Sequence, residues 1–441
     1  MSASSITTFY ALMKEYYVPQ DVVLRGYKAS KALAMMPKMQ KFGGRFVPVP
    51  IWHEAGQGVS ATFSKAQSRA SASSSKRFEL TRKKIYGVGE LDHDLILATQ
   101  EGGRDGRAAF LQATQEINAL ADAVTLDIGF KLYRGQDNVR ARIGAIVDNG
   151  STATVTLKVR GDIVGFAINM YVTAADGSAA PTGTLRDSGA AYKITSIDRK
   201  AGTILLDGDA VGTSSWSSAG ANTPTHVAGA SGDWLFRDGD HVSSADNLGI
   251  SGLTDWLPTT VASSGDSFYG VDRYADRSRL AGIYTDASSA TSVREALVDL
   301  AMFCREQGVT QPSCTLHPQQ FARLIKETDA KIEYDMMVNA GSGSPAKFGF
   351  SAFRLDTPAG PVAIVDDPFC PMNEAFMINP ATWKLYSMGA TPRLLNYEPR
   401  EGLGWLRIVD EDAVEYRFGA YLNLGCSFPG GNGRVTLPAA S

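Results

Sequence analysis

Residues 104–133, RDGRAAFLQATQEINALADAVTLDIGFKLY, carry the longest uninterrupted helical pattern in the chain and constrain its fold more than any other segment. Ile117, Leu120, Ala121, Val124, Ile128 and Leu132 recur at three- and four-residue steps, which places them on one stripe of an α-helix. At 1.5 Å per residue this helix spans about 45 Å, well above the usual length in a globular domain. Gly135 is its natural stop.

A second feature stands before it. FVPVPI (46–51) and KRFELTRKKIYGVGEL (76–91) alternate as strands do, and they flank the stretch SKAQSRASASSSKR (64–77), which holds six serines and four basic residues but no acid. Pro48 and Pro50 cannot donate to a ladder, so the first strand is an edge. Phe78, Leu80 and Arg82 fall on one face of the second strand; Glu79, Thr81 and Lys83 fall on the other. Such a hairpin could reach roughly 30–45 Å at about 3.3 Å per residue. Two strands alone are marginal in water, so a ribbon of this kind needs a surface to lie on. Between Ala55 and Lys84 it carries seven basic residues, Lys65, Arg69, Lys76, Arg77, Arg82, Lys83 and Lys84, against the single acid Glu79. The helix and its approach, from Glu90 to Asp127, lean acidic. Charge therefore points to protein contact, with the ribbon on an acidic surface of another subunit. A nucleic-acid arm is disfavoured, because Phe63 is the only aromatic platform near the tip.

The remainder divides by pattern. Residues 1–42 read as a loose arm with a short helix around Thr8–Tyr17. Residues 143–245 are rich in Gly, Ser, Thr, Val and Asp, with short alternating runs such as TATVTLKV and AYKITSID, and read as an inserted all-β unit. Helical material resumes with SVREALVDLAMFCREQG, where Ser292 and Glu295 form a capping box, Ala296, Leu297, Leu300, Ala301 and Cys304 share a face, and Gly308 ends the helix. In SCTLHPQQFARLIKET a strand leads to Pro318 at a first helical position, with Phe321, Leu324 and Ile325 inward. From Phe353 onward the chain is again β-rich.

With 441 residues the chain exceeds one ordinary core, and roughly two to four domains are expected. A net charge of −3 gives no global reason to bind nucleic acid. Cys304, Cys314, Cys370 and Cys426 form no CxxC and read as reduced thiols of a cytosolic protein. No signal peptide and no apolar run of about 20 residues is present, so a soluble product made in a cytoplasm is expected.

No chemistry of catalysis emerges. His53, His93, His226, His241 and His317 stand at no metal-ligand spacing, and WHEAGQG lacks the second histidine of a zinc helix. LDGDAVG and FRDGDH read as turns, since neither has the twelve-residue calcium-loop pattern. Nucleophile-elbow and phosphate-loop signatures are absent. His317 reads as a residue at a helix start and Cys304 as a small core residue. The expectation is a protein that is not an enzyme and needs no cofactor or metal.

The order of these parts resembles the major capsid proteins of tailed bacteriophages, the family with the fold named after phage Hong Kong 97. KFGGRFVPVP through IYGVGELDHD looks like that family's extended loop, and GRAAFLQATQEINALADAVTLDIGFKLY like its spine helix. CTLHPQQFARLIKE looks like a strand-helix of its axial domain. NEAFMINPATWKLYSMG and DAVEYRFGAYLNLGCSF look like late strands, with NYEPREGLGW (396–405) as the loop between two of them. The resemblance implies an α+β fold: N-terminal arm 1–42, extended loop 43–97, spine helix of the peripheral domain 98–142, inserted β domain 143–245, axial α/β domain 246–355, and remaining axial and peripheral strands 356–441. It implies self-assembly into hexamers and pentamers that enclose double-stranded DNA in a virion, built in the host cytoplasm. Inter-subunit contacts are expected at the seven basic ribbon residues and at Glu398, Arg400 and Glu401. The N-terminus lacks a long charged helical extension, which makes a separate scaffolding protein the expected assembly aid. A portal protein, a possible decoration protein and non-specifically contacted DNA complete the implied partners, with no membrane. The alternatives are an encapsulin-type shell and, from another class, a β-rich carbohydrate-binding or hydrolytic protein using 143–245.

Overall fold

A computed structural model describes residues 30–54, 58–71, 74–93, 104–177, 183–208, 216, 232–241, 248–290, 292–310, 312–329, 353–395, 405–408 and 411–439. The long helix runs Arg104–Tyr133, as its sequence stripe requires. Ile117, Ala121, Val124, Ile128 and Leu132 are buried, and Leu120 packs against the same core. The stripe lies on a six-stranded sheet centred on Ala413–Cys426, which pairs with Trp383–Ser387, Arg393–Leu394, Trp405–Arg407 and Lys83–Asp92; Lys38–Met39 extends the sheet beyond Trp383–Ser387. Gly87 makes the close approach of helix and sheet possible, because a Cβ there would lie 2.6 Å from Val124 Cγ2.

A second six-stranded sheet has the order Ile283–Asp286, Gly433–Thr436, Glu374–Ile378, Ser313–Leu316, Gly360–Asp366, Phe353–Thr357. The helices Val293–Glu306 and Pro318–Asp329 pack on it, sharing a core of Leu297, Leu300, Cys304, Leu324, Ile364, Met377 and Val435. The expected cap is formed: Ser292 Oγ accepts from the Glu295 amide at 3.1 Å. Gly308, just past this helix, takes φ +83°, which a left-handed stop favours.

The inserted unit is a closed six-stranded barrel. Its strands are Ala141–Asp148, Thr152–Leu157, Tyr171–Ala175, Tyr192–Asp198, Thr203–Asp207 and Trp234–Arg237, and closure comes from Trp234–Arg237 pairing on both sides. Ile143, Val155, Val172, Ile194, Ile204, Leu206, Trp216 and Leu235 fill the interior. Trp216 is thus a core residue, while Trp234 lies half-buried under the Arg142 guanidinium at 3.7 Å. No helix among the described residues is long and apolar enough to cross a membrane.

The second ribbon strand departs from its sequence pattern. Residues 76–91 read as one alternating strand, but the structure divides them at Arg82. Ser74–Thr81 pairs only with Phe46–Glu54, whereas Lys83–Asp92 joins the main sheet opposite Ala413–Leu422. The change of partner is marked by a one-residue shift of the inward face, from the even-numbered Phe78 and Leu80 to the odd-numbered Ile85 and Leu91.

Candidate assembly surface

The ribbon was expected to find its supporting surface on another subunit, and for its lower half the structure corrects this. Val49, Ile51, Phe78 and Leu80 are buried in the core of their own subunit. The Phe78 ring meets Trp256 edge-on at 5.0 Å and Phe268 at 6.2 Å. Polar contacts fix the same region: the Glu79 amide donates to Tyr269 O at 3.0 Å, and Asn423 Nδ2 donates to Thr81 O at 2.7 Å. The lower half of the ribbon therefore has its supporting surface within the chain. The two strands stay paired past Ile51 and Lys76, as far as Glu54 and Ser74.

The tip is a six-residue helix, Phe63–Ser68, without a buried residue. Val59 is 85% exposed and Phe63 80%, so the polar tip also presents two apolar side chains to solvent. Large apolar groups held this far out, with basic residues beside them, have the character of a contact surface.

Lys65 and Arg69 are exposed on that tip, and Arg77 and Lys84 are exposed farther down the chain. Arg77 pairs with Glu79 at 3.0 Å. Lys76 is half-buried, as is Lys83, whose charge acts on Asp255 inside the same subunit. Arg82 is turned inward: its Nη1 donates to Met388 Sδ at 3.0 Å and to Phe42 O at 3.5 Å, with the guanidinium over Phe42 and Tyr421. Within the subunit it clasps its own arm and sheet. Glu398, Arg400 and Glu401 lie outside the described residues.

The outward face of the long helix carries Glu116, Ala119, Ala123 and Leu126, all exposed, with Leu126 at 45%. Glu90 and Asp92 on the neighbouring strand are also exposed. Asp127, counted with this acidic face from sequence, is instead buried. It anchors a network that sequence reading missed. Arg140 is ion-paired with Asp127 and donates to Gly165 O at 2.7 Å; Lys131 Nζ reaches Asp127 at 3.1 Å and Asp240 at 2.9 Å. These groups join the long helix to the barrel. The available signal was the i, i+4 spacing of Asp127 and Lys131 beside the apolar stripe. Burial alone would raise the Asp127 carboxyl, but Arg140, Lys131 and Arg237 outweigh it and hold the group well below the usual carboxylate range.

His317 sits where expected, its Nδ1 accepting from the Gln319 amide at 3.2 Å at the start of the helix. Burial and then Arg160 push the imidazole down to about 4. Cys304 is fully buried, and burial raises its thiol to about 12, which suits a packing residue.

The sequence matches no protein-family model and no curated protein. Solved structures do match. A chain of the cyanophage A-1(L) capsid asymmetric unit aligns over 92% of this chain and 91% of its own, with TM-score 0.51 at 11% identity. A capsid chain of the native GTA particle aligns over 92% and 90%, with TM-score 0.45 at 9% identity. A chain of the holo-SrpI encapsulin complex from Synechococcus elongatus PCC 7942 aligns over 93% and 88%, with TM-score 0.39 at 7% identity. The first of these carries the fold: an α+β capsid fold of the Hong Kong 97 type, with a barrel inserted after the long helix.

Proposed function

We propose that this chain is a major capsid protein, non-enzymatic, that assembles with copies of itself into hexamers and pentamers forming an icosahedral shell around phage double-stranded DNA. The observation that carries the reading, beyond the fold, is the ribbon: a half rooted in its own core and a distal half that ends in exposed Val59, Phe63, Lys65 and Arg69. A two-stranded extension gains stability from a surface beneath it, and a neighbouring copy supplies one. Its counterpart is the outward face of the long helix, where Glu116 offers charge and Leu126 apolar area. Lys65, Arg69, Lys76, Arg77, Arg82, Lys83 and Lys84 are the contact residues in this reading, together with Glu398, Arg400 and Glu401.

The domain assignment accompanies it: arm 1–42, extended loop 43–97, spine helix 98–142, inserted domain 143–245, axial domain 246–355 and closing strands 356–441. A scaffolding protein, a portal and a decoration protein are the further partners, and assembly takes place in the host cytoplasm before the chain resides in the virion. Electron microscopy of the purified full chain, alone and coexpressed with an adjacent scaffold gene, tests the reading. Closed shells or rings of five and six are expected. A dispersed monomer under both conditions overturns it, and shells loaded with a protein cargo in place of DNA move the assignment to an encapsulin.

A further inference from the structure

Where the ribbon root meets the main sheet, Tyr421 is flanked by guanidiniums that arrive from both edges of its strand. Arg82 joins the strands Ser74–Thr81 and Lys83–Asp92, and its guanidinium carbon lies 6.0 Å from the Tyr421 ring centre. Arg393 belongs to the short strand Arg393–Leu394 on the other edge, and its guanidinium carbon lies 5.8 Å from the same centre. The two rest against consecutive residues. Arg82 Nη1 donates to Met388 Sδ at 3.0 Å, and a Cβ at Gly389 would lie 3.4 Å from Arg393 Nη1. Two exposed lysines extend the cluster: Lys84 stands directly opposite Tyr421 in the ladder and so shares its face, and Lys41 bridges Met388.

Positive charge therefore gathers at one aromatic side chain, and among the described residues no acid is paired with Arg82, Arg393, Lys84 or Lys41. The acids farther along this face are Glu415, which is ion-paired with Arg417, and Glu90, which lies opposite Glu415. Arg82 and Arg393 are half-buried, and the Nε of each is buried without a hydrogen-bond partner among the described residues. The acceptors that Arg82 does have, Phe42 O and Met388 Sδ, carry no charge. Other half-buried arginines of this chain are matched by acids: Arg134 by Asp162, Arg186 by Asp176 and Asp233, and Arg434 by Glu374. A partly desolvated cation without a counter-charge is costly, and a second one beside it adds repulsion.

We propose that Arg82 and Arg393 bind a phosphate dianion beside Tyr421, with Lys84 and Lys41 at the rim. The planar fork of a guanidinium matches the oxygens of a phosphate and can hold two of them at once. A dianion balances two guanidiniums, whereas one carboxylate or one internal phosphodiester leaves half of their charge uncompensated. The ligand is therefore free phosphate or a terminal phosphate monoester. Because Arg82 also holds Phe42 O, an occupied site ties the arm, the ribbon root and the main sheet together. The inference concerns the subunit and does not depend on its role in a shell.

Equilibrium dialysis of the full-length chain against radiolabelled inorganic phosphate tests it, at about pH 8 where the dianion dominates and with chloride holding ionic strength fixed. Saturable uptake at a single site per subunit is expected. Arg393→Gln should weaken it at least about tenfold, and Lys84→Ala about two- to fivefold. Unlabelled acetate should displace the label at least about tenfold less well than unlabelled phosphate, and duplex DNA without terminal phosphates should not displace it. Wild type without saturable uptake overturns the site. So does undiminished uptake by Arg393→Gln or, where that variant does not fold, by Lys84→Ala. Displacement by acetate as effective as by phosphate, or displacement by the duplex, overturns the assignment to a phosphate dianion. The readout needs no assembly, so its failure leaves the capsid reading in place.

Discussion

Asp367 Oδ2 accepts hydrogen bonds from Ser30 Oγ at 2.8 Å and from the Ala32 amide at 3.0 Å, joining the root of the N-terminal arm to the body across 337 positions of sequence. Both Ser30 and Asp367 are fully buried, and Lys31 adds an ion pair to Asp366 at 2.5 Å. The carboxylate caps the short helix Lys31–Met35, whose first amides have no partner within the helix.

Asp367→Ala leaves the Ser30 hydroxyl and the Ala32 amide without this partner. The cost expected is about 1–3 kcal/mol, most of it the penalty of unpaired buried polar groups. Thermal unfolding should register the loss. Limited proteolysis should cut faster near residue 30, because the arm root is then free to open. Unchanged cleavage there would show that the arm is held by something other than this carboxylate.

Two phenylalanines of one ribbon should behave in opposite ways. Phe78 is fully buried against Trp256 and Phe268, so Phe78→Ala should cost the subunit about 3–5 kcal/mol. Phe63 is 80% exposed, and Phe63→Ala should leave subunit stability within about 0.5 kcal/mol. If the tip makes the contact, Phe63→Ala should nevertheless lower particle yield. Equal particle yield from wild type and Phe63→Ala would remove this side chain from the contact.

The elements that were legible in sequence are those whose evidence is local. The long helix declares itself through its apolar stripe, and the cap at Ser292 through a three-residue spacing. What escaped depends on distant partners. The break at Arg82 exists because Lys83–Asp92 finds Ala413–Leu422, more than three hundred positions away. Burial of Phe78 depends on Trp256 and Phe268, which no periodicity connects to it. Arg82 shows what charge alone does not report: a basic residue in a basic run can still turn its guanidinium onto rings of its own subunit.

That distinction decides how the charge of the ribbon is tested. Reversing Lys65 and Arg69 to Glu alters only the exposed tip. Thermal stability of the subunit should be unchanged within about 0.5 kcal/mol, while assembly should weaken and its dependence on ionic strength should diminish. Arg82→Glu should instead destabilise the isolated subunit, because it places an acid beside Phe42 O and removes the guanidinium from two rings. Normal assembly by the Lys65/Arg69 reversal, with an unaltered salt response, would exclude the basic tip as the contact.

The seam between long helix and barrel makes a prediction about acid. Asp127 is 4% exposed and is ion-paired with Arg140 and Lys131, themselves buried. Asp127→Asn leaves two buried cations with less compensation and should cost about 3–5 kcal/mol at neutral pH. Because the folded carboxyl is held below the ordinary 3.8, its contribution is present above that value and is lost as pH falls further. Wild type should therefore lose stability on acidification below about pH 4, and the gap to Asp127→Asn should close there, as unfolding curves across pH can register. A gap of constant size from neutral pH down to about pH 2 would mean that Asp127 does not stabilise the seam through its charge.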